Sequence, residues 1–526
     1  MMQSTWTPPE SLSEGDDDAL SYSLDPENML PRVLARRAIE HPERAFLAEV
    51  TGRELSYGQT WLKVEQWCTW LTGLGIRRGD RVLTLLPSSI DATLAWLALG
   101  CIGAWEVPVN PDLRGSFLTH VLTDSQADFC LTRPRLAHLL SESAAPLKIV
   151  EVDYDDPRPT SAAPTPVNAF PRPANPACVI YTSGTTGPAK GAVLTWAQLA
   201  SVVGRIPRSW LSDEDTAYSY HPTFHVTGRS PLLSMADCGG RVVFRERFSA
   251  SQFWSDVRLH HCTTTTVQSA LLMGVPEDPQ DRDNPLRVAF GSHNAVLNAR
   301  FADRFGVHLL MAYGSTEVGF PLLTRWAPSD TNRRWCGRLR RGYQARVVDE
   351  SGSDLPDGQP GELWIEAPSR VLALREYLDR PDLTEKAFSE SWYRTGDMVI
   401  RHPHGEFEFV DRLRDTIRRL GENISSSALE AVIDSDLEVE ACAVVGEPDP
   451  VFGHRVVVVV TAKEGAEIDP PALHERLIER LPRYMLPSRI VVCDVLPMTA
   501  TNKVRKTNLL RSLGDGAVDW EAPTRR

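Results

Sequence analysis

Seven of the ten residues from Thr182 to Gly191 carry a hydroxyl or are glycine, and one of the other three is Lys190. Gly184, Gly187 and Gly191 let the backbone turn tightly and bring its N–H groups close to an anion. Thr182, Ser183, Thr185 and Thr186 add hydroxyl donors, and Lys190 supplies a mobile positive charge. The stretch reads as a phosphate loop. The apolar run Ala177 to Tyr181 before it predicts a buried strand, and Thr195-Trp-Ala-Gln198 beyond it has the spacing of a capping box that starts a helix. The P-loop of nucleotide triphosphatases ends in Gly-Lys-Ser/Thr, whereas Ala189-Lys190-Gly191 stands here, so that reading fails. A plain Gly/Ser/Thr turn that binds nothing is common, but it would have to gather seven such residues by accident.

The loop resembles the signature loop of the adenylate-forming superfamily, which includes acyl-CoA and aryl-CoA ligases, luciferases and the adenylation domains of peptide synthetases. Further motifs follow in that superfamily's order, and the resemblance runs from about Leu30 to Leu510. It implies that in Met311-Ala-Tyr-Gly-Ser-Thr-Glu-Val318, Tyr313 stacks on adenine, Thr316 hydrogen-bonds the α-phosphate region and Glu317 holds Mg²⁺. Those roles need an aromatic face, a hydroxyl and a carboxylate in turn. Gly314, Gly291 and Ser292 belong to the same implied nucleotide site. In Trp392-Tyr-Arg-Thr-Gly-Asp-Met398 the resemblance makes Asp397 the acceptor of both ribose hydroxyls, helped by Arg412. Arg414 takes the hinge position, where Lys or Asp is commoner.

Arg418 to Ser425, around Gly421, is similar to the segment that turns toward the active site for the second half-reaction. Pro497 to Val504 resembles the motif with the catalytic lysine, here Lys503, although Asn502 replaces the usual glycine. Asn is the non-glycine residue that best tolerates positive φ, so the backbone shape can survive. Lys506 is close by, and an exchange of roles between the two lysines stays open. His221-Pro-Thr-Phe-His-Val226 resembles the substrate-pocket segment, with Phe224 and His225 at the gating position and His225 as a catalytic candidate. A lone histidine is ordinarily structural; the surrounding motif raises this one.

These residues need a frame. At 526 residues, 42% hydrophobic and 24% charged, the chain is ordinary globular material too long for one simple core. Candidate helices and short strands alternate at Arg32–Ile39, Thr60–Leu71, Arg81–Leu86, Asp91–Leu99 and Phe117–Leu122, an α/β layer pattern. Asp153 to Pro176, rich in Pro, Ala and Thr, reads as an exposed connection. A different rhythm follows Asp411: a capping box at Ser427-Ala-Leu-Glu430, strands at Ala441–Val445 and Val456–Val460, a helix at Pro471–Leu481 and a strand at Ile490–Val495. The expected fold class is α/β, a large N-terminal domain of layered α/β subdomains with a small mobile α+β C-terminal domain. The expected divisions are a disordered segment 1–24, a large AMP-binding domain 25–410, a hinge 411–415 and a small domain 416–526.

The net charge of −13 argues against a nucleic-acid partner. Nine cysteines without a Cys-x-x-Cys pair suit a reduced, cytoplasmic protein without structural zinc. The acidic N-terminus is no secretion signal, and Ala92 to Val107 is too short for a span; it reads as a buried helix leading into a strand. A monomer or homodimer is expected.

Gly291-Ser-His-Asn-Ala295 departs from the family, whose members commonly show small residues followed by Pro. His293 and Asn294 put polar groups beside the acyl pocket. In Cys336-Gly-Arg-Leu-Arg-Arg-Gly342, arginines replace apolar or Pro positions. Both departures argue against a long fatty acid. The expected activity is ATP-dependent adenylation of a small or aryl carboxylate, followed by rotation of the small domain about Arg414 and transfer to a thiol, CoA. One alternative is an ATP-dependent diazotase that activates nitrite for an aryl amine, with which His293, Asn294 and Arg338 to Arg341 are compatible. A degenerate nucleotide-binding protein is the other, and retention of Lys190, Glu317, Asp397, Arg412 and Lys503 argues against it.

Overall fold

Ile90–Ile102 is apolar on every side, and its residues Ile90 to Gly100 are all buried, which is why no amphipathic period marks it. Ser89 caps it by accepting from the Ala92 amide at 3.2 Å, and Gly103 ends it at φ +85°. The strand Trp105–Pro108 follows directly, as expected of a buried helix feeding a sheet. The computed structural model describes residues 19–140, 147–154, 156–182, 188–291, 295–324, 335–412, 416–420, 422–463, 465–496, 506, 509–512 and 517–523. No helix among them is long and apolar enough to cross a membrane.

Three sheets organise the described residues. In a seven-stranded sheet, Trp105–Pro108, Arg81–Leu85, Phe129–Thr132 and Lys148–Glu151 run parallel beside the antiparallel pair Pro176–Thr182 and Lys190–Thr195. In a fourteen-stranded sheet, Ala45–Glu49, Arg241–Phe244, Thr216–Ser219, Thr264–Thr266, Val288–Phe290 and His308–Ser315 form a parallel run. Antiparallel strands from Gly319–Thr324 to Gln344–Val348 extend it. The main core lies between these sheets, where Trp96 and Trp196 stack with centroids 5.2 Å apart. The segments starting at Tyr220, Val267, Gly291 and Thr316 all leave the carboxyl ends of parallel strands, where such sheets place their ligands.

The third sheet draws its six strands from Thr416 to Glu521. Its centre is Gly453–Ala462, whose Val456, Val458 and Val460 enter one apolar cluster while Val457 and Val459 enter another. A strand covered on both faces needs an unbroken β-branched run rather than an alternating one.

Most expected elements lie where the sequence places them, with one correction. Ala19–Leu24 is a helix whose Tyr22 packs against the main core; residues 1–18 lie outside the described residues. The helix after the junction begins at Ser426, which puts Ser427 inside it rather than at its cap. Glu430 accepts instead from the Val444 amide at 2.6 Å and pairs with Lys506 at 2.7 Å.

Candidate active site

Two antiparallel strands flank the phosphate-loop candidate. Pro176–Thr182 pairs antiparallel with Lys190–Thr195, and Thr182 faces Lys190 across the ladder. Ser183, Gly184, Thr185, Thr186 and Gly187 lie outside the described residues. Gly191 is needed for close packing, since a Cβ there would stand 2.9 Å from Val179 Cγ1. Thr195 caps the helix Trp196–Ala200 by accepting from the Gln198 amide at 3.0 Å. The Gln198 side chain does not reach back to complete a box; its Nε2 donates to the Thr316 carbonyl at 2.7 Å, tying the hairpin to the next motif.

That motif is a tight turn between His308–Ser315 and Gly319–Thr324. A Cβ on Gly314 would meet the Gly319 carbonyl oxygen at 1.9 Å, so only glycine fits. Glu317 is buried, and its Oε1 accepts from the Tyr377 hydroxyl at 2.9 Å. The Lys190 ammonium lies 5.3 Å from the centre of the Tyr377 ring. Tyr377 thus stands between the cation and the carboxylate, and burial followed by the Glu317 charge pushes its phenol far above the ordinary value.

The Tyr313 hydroxyl donates to Asp397 Oδ2 at 2.7 Å. Burial first, then the Asp397 charge, raises the Tyr313 pKa, so the phenol stays a donor. Asp397 and Arg412 are partners in the backbone register between Trp392–Arg401 and Glu406–Arg412. Arg414 and Lys503 lie outside the described residues, as do Ser292, His293 and Asn294. Lys506 is committed to Glu430 and to Ser426, whose Oγ is 2.7 Å away.

The His221–Val226 turn is held from beneath. Arg229 donates to the Thr223 carbonyl at 2.8 Å and to Glu106 at 2.6 Å, and Glu106 also accepts from Thr84 at 2.8 Å. Gly228 admits the turn, because a Cβ there would fall 2.2 Å from the Pro222 oxygen. His225 ends this turn with Nε2 at 2.9 Å from Glu422 Oε1, which starts the strand Glu422–Ser425 of the third sheet. Burial alone would lower the His225 pKa, but the Glu422 charge and hydrogen bond outweigh it and raise it. His221 goes the other way: burial, His225 and Arg205 together hold it down at about 3, so it is a neutral imidazole.

One cleft of about 3870 Å³ brings these groups together. Thr182, Lys190, Phe224, His225, Gly291, Tyr313, Gly314, Thr316, Glu317 and Asp397 line it, and Glu422 closes on it from the small unit. The arginines of Cys336–Gly342 do not line it. Arg338 pairs with Glu406 at 3.4 Å, Arg341 is exposed, and Arg340 donates to the carbonyls of Ser201 at 2.9 Å and Phe320 at 3.3 Å. The sequence reading of these arginines as substrate-facing is therefore corrected: Arg340 holds backbone behind the cleft. Sequence reasoning missed Tyr377, Glu422 and Arg205. Only Glu422 had a signal, its place in the segment around Gly421.

Residues 34–377 match the AMP-binding enzyme family, and residues 428–503 match the AMP-binding enzyme C-terminal domain. Sulfoacetate–CoA ligase of Cupriavidus necator is 29% identical over 93% of this chain and 99% of its own length. Crotonobetaine/carnitine–CoA ligase of Salmonella paratyphi B is 29% identical over 87% of this chain and 93% of its own. In fold, the chain is similar to o-succinylbenzoate CoA synthetase of Bacillus subtilis, with a TM-score of 0.81 at 22% identity, covering 93% of this chain and 99% of that one. None of these likenesses supports the nitrite-activating alternative. With both family matches, and with Lys190, Tyr313, Glu317 and Asp397 lining one cleft, the chain belongs to the AMP-binding enzyme family, as an ATP-dependent, acid-activating ligase of the adenylate-forming, acyl-CoA-ligase-like superfamily.

Proposed function

We propose that this protein joins a small or aryl carboxylic acid to CoA through an acyl-adenylate. The observation that carries the reading is the convergence of Lys190, Glu317 and the Tyr313–Asp397 pair in a cleft that also holds Phe224 and His225. The named activities of the Cupriavidus and Salmonella relatives support CoA as acceptor. The acid carboxylate attacks the α-phosphorus of ATP in line, pyrophosphate leaves, and the thiol then displaces AMP. No protein nucleophile is needed, because the mixed anhydride is already activated; the chain supplies position and charge.

In this reading Thr182 to Gly187 and Lys190 hold the phosphates, Gly291, Ser292, Tyr313 and Gly314 frame the adenine, and Asp397 with Arg412 takes the ribose. Thr316 faces the α-phosphate, and Lys503 neutralises charge there during adenylation. Residues 411–415 with Arg414 act as the hinge between 25–410 and 416–526. Mg²⁺ fits Glu317: the carboxylate is buried, and no group of three or more acidic, His or Cys side chains surrounds it among the described residues. That suits a cation held chiefly by phosphate oxygens and one carboxylate. Bound there, it would offset charge on the phosphates.

Pyrophosphate release across a panel of aliphatic and aryl acids, with and without CoA, tests this. Release that needs an acid, with a CoA thioester as product, is expected. Acid-independent ATP hydrolysis, or an adenylate that CoA never discharges, counts against it.

A further inference from the structure

Arg205 lies in Val202-Val-Gly-Arg-Ile206, just beyond the helix Trp196–Ala200. It is 7% exposed, yet it lines the cleft. Its guanidinium carbon sits 4.1 Å from the Phe290 ring centre and 4.5 Å from that of Phe320. Its Nε is buried without a hydrogen-bond partner, and among the described residues no carboxylate pairs with its side chain. The charged group that acts on it is another cation, Arg340, which props the same turn through the Ser201 and Val203 carbonyls. Burial, then Arg340, lowers its pKa to about 9, which still leaves it cationic at neutral pH.

An unpaired buried cation is costly to a fold, and a structural arginine ordinarily has an acid beside it, as Arg229 has Glu106. The two aromatic contacts bind the flat guanidinium but supply no acceptor for its N–H fork, which matches a carboxylate or sulfonate. Phe290 directly precedes Gly291, and His221, which feels the Arg205 charge, opens the segment that carries Phe224 and His225. The slot therefore adjoins the segments that carry Gly291, Phe224 and His225, on the side of the cleft assigned to the acid.

We propose that Arg205 receives a second, distal anionic group of the acid, so that the substrate is a short dianion, a dicarboxylate or a sulfo-carboxylate. This rests on the acid-activating reading above. An acid with an apolar tail leaves the guanidinium unpaired, and one with a cationic tail meets repulsion.

Matched acids test it in the intact protein: glutarate against its monoamide, isophthalate against its monoamide, and sulfoacetate against methylsulfonylacetate. Wild type should favour the anion-bearing member of at least one pair by about tenfold or more in kcat/KM for pyrophosphate release. Arg205→Met should abolish that preference, and Arg205→Lys should keep part of it. Dianions without ATP should raise the melting temperature of wild type but not of Arg205→Met, and the unliganded Met variant should melt no lower than wild type. Equal use of both members of every pair, a preference that survives Arg205→Met, a lower-melting Met variant, or a change confined to the KM for ATP or CoA overturns the proposal. Turnover of none of the acids would instead count against the ligase reading, and the melting shifts would still decide Arg205.

Discussion

The contact between His225 and Glu422 should make one half-reaction depend on pH and the other not. The imidazole Nε2 and carboxylate Oε1 are 2.9 Å apart, with the side chains 34% and 22% exposed. Glu422 belongs to the third sheet and His225 to the cleft wall, so the pair exists only while the small unit sits as described here. A hydrogen bond to a charged group contributes about 1.5–3 kcal/mol when shielded. Exposure of about a third screens it, which leaves ~1 kcal/mol, or about fivefold in the population of this arrangement. The sign follows from the raised His225 pKa. When the units separate, the imidazole returns toward the ordinary value of about 6.5. The pair's contribution is therefore complete below that value and is lost as pH rises through the raised pKa of the joined state. Glu422→Gln keeps a neutral acceptor but loses the charge. The segment around Glu422 is expected to serve thiol transfer, so transfer from a preformed adenylate to CoA should slow about fivefold and lose its alkaline decline. Pyrophosphate release in the first turnover should stay as in wild type. Equal slowing of both half-reactions, or a transfer profile that keeps the wild-type pH dependence, would refute the reasoning.

Three further outcomes follow from local geometry. Tyr377→Phe removes the donor at 2.9 Å from Glu317 and, if Glu317 holds Mg²⁺ as proposed, should shift the Mg²⁺ concentration for half-maximal activity by about tenfold to a hundredfold, the equivalent of the ~1.5–3 kcal/mol of a charged hydrogen bond; a magnesium titration reads it. Gly314→Ala drives a Cβ to 1.9 Å from the Gly319 oxygen, a backbone clash that should cost ~1–3 kcal/mol of stability, read as a lowered urea midpoint, and remove adenylation with it. Arg229→Met leaves the buried Glu106 unpaired and should destabilise by ~3–5 kcal/mol, whereas adding Glu106→Gln should restore much of that in the same unfolding titration.

Local order was legible in the chain. The unbroken run Val456 to Val460 marks a strand covered on both faces, because this depends on residue type and period alone. The apolar Ile90–Ile102 likewise announces a buried helix. Pairings across long separations were not legible. Nothing near Tyr377 points to Glu317, sixty residues away, and nothing near His225 points to Glu422, which is 197 residues away. The arginines of Cys336–Gly342 mislead for the same reason: their charge invites a ligand, yet Arg340 directs it to backbone carbonyls, while Arg205, plain in its own sequence, meets no acid among the described residues. A side chain's type fixes which interactions it can make, but whether a buried charge finds its partner is decided by what the fold brings within about 3 Å of it.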